Sequence, residues 1–149
     1  MKTLGVNHRL EKAVPFLLAR AGARMGNAFS KALKPYGISL IEWRICASLQ
    51  HTPSQALTEL AAHISADLSA MSRTVDRLVA LDLVAREKCA TDGRVVRIAL
   101  NANGKRLTQE ITPLAQHYEA VALSDFSASE IKTLRSMLLR LYKNTTPLA

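Results

Sequence analysis

Three features follow one another without a gap between Leu57 and Gly104, and together they leave few folds open to this chain. A short helical segment, ELAAHI, is joined through Ser65-Ala66-Asp67 to a longer one running from about Leu68 to Leu81. Two helices separated by three or four residues must turn sharply on each other, as in a helix-turn-helix. Directly behind them stands KCATDGRVVRIALNANG, residues 88–104, where one alternating run reaches Asp92-Gly93 and a second returns from it. Asp-Gly is the preferred pair for a two-residue hairpin turn, because both central positions need positive φ. Arg94 lies just past that turn, at a tip that points into water.

The remaining segments supply the frame. Residues 9–34 carry Leu10, Val14, Leu17, Leu18, Ala21, Met25, Phe29 and Leu33 at helical spacing, with Pro15 marking a kink or a late start. Pro35-Tyr36-Gly37 ends that helix. Ser39 and Glu42 then form a capping box for a second helix, LIEWRICASLQ. Thr58 is placed to cap ELAAHI, with Leu57 ahead of it as a staple. Beyond the hairpin, Asn101 caps a long helix that bends at Pro113, and Ser127 with Glu130 opens a last one, IKTLRSMLLRLY. The expected fold is mainly α with a small β-hairpin wing. It forms one domain over 1–149, with a winged helix-turn-helix at 37–104. The amphipathic helices at 1–36 and 105–149 carry more apolar surface than one small domain readily buries, which points to dimerisation.

Counting about 100° per residue from Leu68, Leu68, Met71, Val75, Leu78 and Val79 share an inward arc. Ser69, Ala70, Arg73, Arg77 and Ala80 fall opposite, with Ser72 and Asp76 on the flank. A helix that reads a major groove needs such a face: small residues allow close approach, serine serves donor or acceptor edges, and arginine pairs bidentately with guanine. Arg94 at the wing tip suits a neighbouring minor groove, while Lys88 and Arg97 are within reach of phosphates. Val96, Ile98 and Leu100 form the inward face of the second strand. The expected DNA-contacting set is Thr58, Ser65, Ser69, Ala70, Ser72, Arg73, Arg77, Lys88 and Arg94, with Asp92 and Gly93 supporting the wing.

Charge agrees with an anionic partner without choosing it. The chain is +8 overall, yet residues 53–105 hold seven basic groups against six acids. Contact with phosphate there depends on placement, not on bulk charge. The surplus lies in residues 1–34, with seven basic groups against Glu11 alone. That N-terminal surplus could steer DNA or simply keep the protein soluble.

These segments resemble the MarR family of bacterial transcriptional regulators. ELAAHISADLSAMSRTVDRLVALDLVARE follows its helix-turn-helix pattern through Glu59, Leu60, Ala61, Asp67, Ser69, Arg73, Val75, Asp76, Arg77, Leu78, Leu83, Val84 and Arg86. DGRVVRIALNANG follows its wing signature through Asp92, Arg94, Leu100 and Gly104, and YGISLIEWRICASL resembles the entry to its second helix. Two positions depart: Asp82 stands where the family usually has a left-handed glycine, and Asn101 replaces a threonine cap. The resemblance implies an obligate homodimer on a pseudo-palindromic double-stranded operator, with half-sites about 34 Å apart. It also implies a repressor released when a small aromatic or phenolic anion enters a crevice drawing on Arg20, Arg24, Tyr36, Trp43, Arg44, Arg86 and His117.

Other chemistry finds less footing. There is no Gly-rich phosphate loop, GxSxG or HExxH, so no enzyme is expected. His8, His51, His63 and His117 match no zinc spacing, and neither metal nor cofactor is expected. Cys46 and Cys89 form no CxxC, which fits a reducing cytoplasm, and MKTLGVNHRLEK lacks a signal-peptide core. No stretch reaches the length of a membrane span. Two rival readings stand beside the ligand-released repressor. One is a regulator of the same fold that senses oxidation through cysteine, with Cys89 near the wing. The other is a basic interaction or membrane-surface protein using its N-terminal helix.

Overall fold

The computed structural model describes residues 9–149. Lys2, His8 and most of the N-terminal segment tested for a signal peptide lie outside the described residues. The chain divides into two compact units, one reaching to Ala115 and the other spanning Gln116–Ala149.

The first unit opens with a 3-10 turn, Leu10–Lys12, and helix α1, Val14–Leu33. The helix therefore starts later than Arg9. Pro15 decides this, because proline is tolerated in the first turn, where its missing N–H would have had no helical partner. The chain leaves α1 through a second 3-10 turn and Gly37, at φ 72°. Helix α2, Leu40–His51, carries the expected capping box: the Ser39 N–H donates to Glu42 Oε1 (3.0 Å) and the Glu42 N–H to Ser39 Oγ (3.2 Å).

Strand β1, Gln55–Ala56, is absent from the sequence reading, since two residues carry no period. It pairs antiparallel with β3, setting Gln55 opposite Ile98. Helix α3, Leu57–Ile64, starts two residues earlier than Thr58 capping requires. The cap position belongs to Ala56, whose N–H donates to the Glu59 carboxylate (3.2 Å). Thr58 is thus an exposed first-turn residue, not the cap. Ser65, left-handed at φ 55°, closes α3, and Asp67 caps α4, Leu68–Ala80.

Met71, Val75 and Leu78 are fully buried, and they meet a core built from Leu33, Ile45, Leu49, Leu60 and Ile98. The inward arc of α4 is narrower than expected, since Leu68 and Val79 are 47% and 36% exposed. Both sit at the edge of that arc, where a slight rotation of the helix turns them to solvent.

Strands β2, Val84–Lys88, and β3, Val96–Leu100, form the wing, and the sheet order is β1-β3-β2. The two-residue Asp92-Gly93 turn does not form. Residues 89–95 make a wider tip, closed by Cys89 N–H to Val95 O (2.9 Å) and Val95 N–H to Asp92 O (3.1 Å). The Asp92 carboxylate accepts the Arg94 N–H (3.0 Å), an Asx turn that needs no left-handed residue. Gly37 is the one glycine with positive φ among the described residues. Ile98 is buried as expected, but Val96 is 45% exposed because the ladder ends there and nothing covers its face.

Helix α5, Ala102–Ala122, contains Pro113, and the boundary between the units falls just beyond it. Asn101 caps it through Oδ1, which accepts the Gly104 N–H (2.8 Å). Asp82 is indeed left-handed, at φ 57°. Its carboxylate accepts from Asn101 Nδ2 (3.0 Å) and Asn103 Nδ2 (2.8 Å). The residue that departs from the family's glycine thereby fastens the end of α4 to the start of α5, which offsets the cost of that backbone region.

In the second unit, α6, Ala128–Asn144, has the Ser127–Glu130 capping box and buries none of its residues. Met137, Leu138, Leu139 and Tyr142 stay exposed, as do Val14, Leu17, Leu18 and Met25 on α1. No helix among the described residues is long and apolar enough to cross a membrane.

Candidate nucleic-acid interface

Each element that the sequence assigns to DNA lies in the first unit. On α4 the exposed face carries Ser69, Arg73, Asp76 and Ala80, with Ala70 and Ser72 half-buried beside it. The Ser69 hydroxyl donates to the Asp67 carboxylate. That bond, then the Ala70 N–H and the nearby Arg73 charge, hold the Asp67 carboxyl below its ordinary value, although burial opposes them. With its proton committed to Asp67, Ser69 presents lone pairs outward and suits a base-edge donor. Arg73 makes no hydrogen bond or ion pair within the described residues, so its guanidinium remains available to an external acceptor.

Arg77, 58% exposed, also has a partner inside the protein. Its position on α4 leans toward the start of α2, where Nε donates to both oxygens of Glu42 (3.1 and 3.0 Å) and Nη2 to Gly37 O (3.4 Å). The Glu42 side chain is only 3% exposed. A carboxylate buried that far needs a partner, and removing one commonly costs several kcal/mol. Arg77 is therefore occupied in joining the recognition helix to the α2 capping box. Arg97 is likewise occupied: Nε donates to Ser54 Oγ (3.0 Å) and Nη2 to the Glu59 carboxylate (3.3 Å). It steadies the left-handed Ser54 and ties the sheet to the first turn of α3. Neither the period of α4 nor that of β3 could reveal these roles, because both depend on which segments lie alongside.

At the wing, Arg94 and Lys88 are exposed and their side chains have no partner among the described residues. Asp92 supports the tip through its Asx turn, whereas Gly93 simply leaves its side open. Ser65 and Thr58 are exposed hydroxyls at the two ends of α3.

Cys89 begins the wing tip, and its Sγ lies 3.2 Å from Thr91 Oγ1. The Thr91 hydroxyl holds the thiol below its ordinary value, aided by the N–H groups of Thr91 and Asp92 and by the Arg97 charge. Cys46 is the opposite case: burial pushes it up to about 11, despite a bond with Thr108. In the native protein iodoacetamide should therefore label Cys89 well before Cys46, with Cys46 following only on unfolding. Peptide mapping of a labelling time course checks this order; equal rates would contradict it. Thr91 is a partner that sequence reading missed, although its spacing from Cys89 could have suggested it.

The residues assigned to a ligand crevice lie on several different elements. Arg20 and Arg24 are exposed on α1, and Arg44 is exposed on α2. Trp43 meets Phe29 edge-on at 6.0 Å, and Arg86 pairs with Asp76. His117 belongs to the second unit, beside Tyr118. Only Tyr36 among them lines a cleft of the first unit of ≈ 420 Å³, which it shares with Ile38, Leu81, Leu83, Arg106 and Glu110. Arg106, Asn103, Leu107 and Glu110 follow a helical stripe on α5 that could have been read from sequence, but only their neighbours make it a cleft wall.

Comparison with known proteins follows the same segments. Residues 38–96 match the model of the MarR family. Over 126 residues the chain is 29% identical to an HTH-type transcriptional repressor of Mycobacterium tuberculosis, covering 85% of this chain and 91% of that one. A MarR family transcriptional regulator from Silicibacter pomeroyi is similar in structure with a TM-score of 0.84 at 27% identity, over 92% of each chain. A mutant MarR from E. coli complexed with operator DNA gives a TM-score of 0.78 at 22% identity, over 91% of this chain and 99% of that one. At that identity the likeness is one of fold.

Proposed function

Residues 38–96 of this chain are a MarR-family domain, and from that premise we propose that it binds a pseudo-palindromic DNA operator as a homodimer and represses transcription. The observation that carries the reading is the pairing of two unoccupied arginines, Arg73 on the outward face of α4 and Arg94 at the wing tip, on one compact unit. Ser69, Ala70, Ser72 and Arg73 face the major groove, Arg94 the adjacent minor groove, and Thr58, Ser65 and Lys88 the phosphates. The exposed apolar residues of α1 and α6 are the dimer surface, since monomers rarely leave such faces uncovered. Two copies then present two wings to half-sites about one helical turn apart.

The effector is a small aromatic anion. Tyr36 and the apolar wall of Ile38, Leu81 and Leu83 suit its ring, and Arg106 suits its carboxylate. Occupying a cleft between α5 and the end of α4 would shift the recognition helix. A second reading is favoured by the Thr91-held thiol at the wing. Cys89 thiolate attacks the O–O bond of a hydroperoxide, becoming sulfenic acid and releasing water or an alcohol.

Fluorescence-anisotropy titration against the DNA flanking its own gene, with random competitor, tests the main proposal. Wild type should bind that DNA selectively. Arg94→Ala should weaken it by about tenfold, in line with roughly 1–3 kcal/mol for one lost groove contact. Binding that ignores both sequence and the variant would leave a basic protein that adheres to polyanions, and the regulator reading would fall.

A further inference from the structure

His51 and His63, distant in sequence, come together in the fold with ring centroids 6.1 Å apart and planes inclined by 31°. His51 closes α2 and His63 lies in the last turn of α3, and both are exposed. The His63 ring is held from beneath. Its Nδ1 shares a hydrogen bond with Ser48 Oγ, and Ser48 is only 4% exposed. Gln55, itself buried, fixes that serine by donating from Nε2 to Ser48 O (3.1 Å) and Ser48 Oγ (3.1 Å), and also donates to Thr52 O (2.9 Å). With Nδ1 engaged below, Nε2 is the nitrogen left to an outside partner.

We propose that His51 and His63 form a two-histidine site for a borderline divalent transition cation of the copper, nickel and zinc class. Metal–nitrogen bonds of about 2.0–2.1 Å keep two coordinated imidazole centres about 5–6 Å apart, so a small rotation of the exposed His51 ring completes the geometry. Coordination through His63 Nε2 places the ring proton on Nδ1, where it donates to Ser48 Oγ. That is the outer hydrogen bond a metal-binding histidine normally makes. Imidazole nitrogen selects this class over magnesium and calcium, which take oxygen donors. Among the described residues no three or more His, Cys, Asp and Glu gather at any one place. Water therefore fills the remaining positions, and the order of affinity follows the metal: copper above nickel, nickel above cobalt. The bound cation would bridge the ends of α2 and α3, clamping the first helix of the helix-turn-helix to its support.

Calorimetric titration of the full chain with nickel, cobalt and copper salts, each alone, tests the site. One ion per chain is expected, with copper bound most tightly, then nickel, then cobalt. His51→Gln and His63→Gln, conservative changes at exposed positions, should each weaken nickel binding at least about tenfold, while His117→Gln leaves it unchanged. Ser48→Ala keeps both imidazoles and should still weaken nickel by about tenfold, the usual loss when an outer hydrogen bond is removed. In melting curves nickel should raise Tm for wild type but not for the two histidine variants, which should remain cooperatively folded without metal. Nickel binding that survives either histidine change, or no saturable copper or nickel binding by wild type, would overturn the proposal.

Discussion

Replacing Gly104 by alanine is expected to destabilise the first unit by about 3 kcal/mol or more, a large share of the roughly 5–15 kcal/mol typical of a folded domain. The added methyl would sit 2.0 Å from Leu83 O and 2.9 Å from Leu100 Cδ2. The carbonyl cannot retreat cheaply, since it already accepts the Asn101 N–H (3.1 Å) that joins the end of α4 to the start of α5. Lifting α5 would also strain the Asp82 bonds to Asn101 and Asn103 and open the core around the buried Thr108 and Ile111. Chemical denaturation of wild type and variant measures the loss directly. Gly93→Ala is the informative companion, because a Cβ there meets nothing within 4 Å and its φ is not positive. Its stability should change by less than about 0.5 kcal/mol. A two-residue turn of the kind that Asp-Gly suggests would instead cost about 1–2 kcal/mol for a left-handed alanine.

The largest functional effect is expected at Arg73. Its alanine variant should lose about 1–3 kcal/mol of operator binding, roughly fivefold to 150-fold, and should relax selectivity at a single base pair. Lys88→Ala provides the contrast: a phosphate contact should weaken all sequences alike and lower the salt dependence of binding by about one ion. Binding-site selection from randomised duplexes, followed by salt titrations of both variants, separates the two behaviours. If Arg73→Ala weakens every sequence equally, Arg73 contacts the backbone and the base-reading role passes elsewhere on α4. Arg77 is a poor substitute for that role, because its Nε is bound to a carboxylate that has almost no access to water.

The elements themselves were legible in the sequence because they follow from local chemistry. Ser39 with Glu42, Ser127 with Glu130, and Asn101 ahead of Gly104 cap helices through bonds spanning three residues, so residue type and spacing suffice to find them. The core stripe Met71, Val75 and Leu78 was equally local, whereas the left-handed backbone at Asp82 was expected only from the family resemblance. What failed were inferences in which a short signal competes with a partner outside its own segment. An aspartate side chain took over the turn that Asp-Gly proposed, Glu59 took over the cap assigned to Thr58, and β1 existed only because β3 was there to pair with it.

Charge was the least legible property of all. On a helical wheel Arg73 and Arg77 look alike, yet one is unoccupied and the other is fixed to Glu42, because only the approach of α2 supplies a buried carboxylate. The same holds for the cleft beside Tyr36 and for the two histidines. The sequence by itself determined the helices, the two wing strands and their order, through periods and caps that act over one to four residues. Only the tertiary structure decided which cations face outward, which side chains wall a cleft and which imidazoles meet. Those outcomes depend on contacts between residues a dozen or more positions apart, and a local pattern carries no record of them.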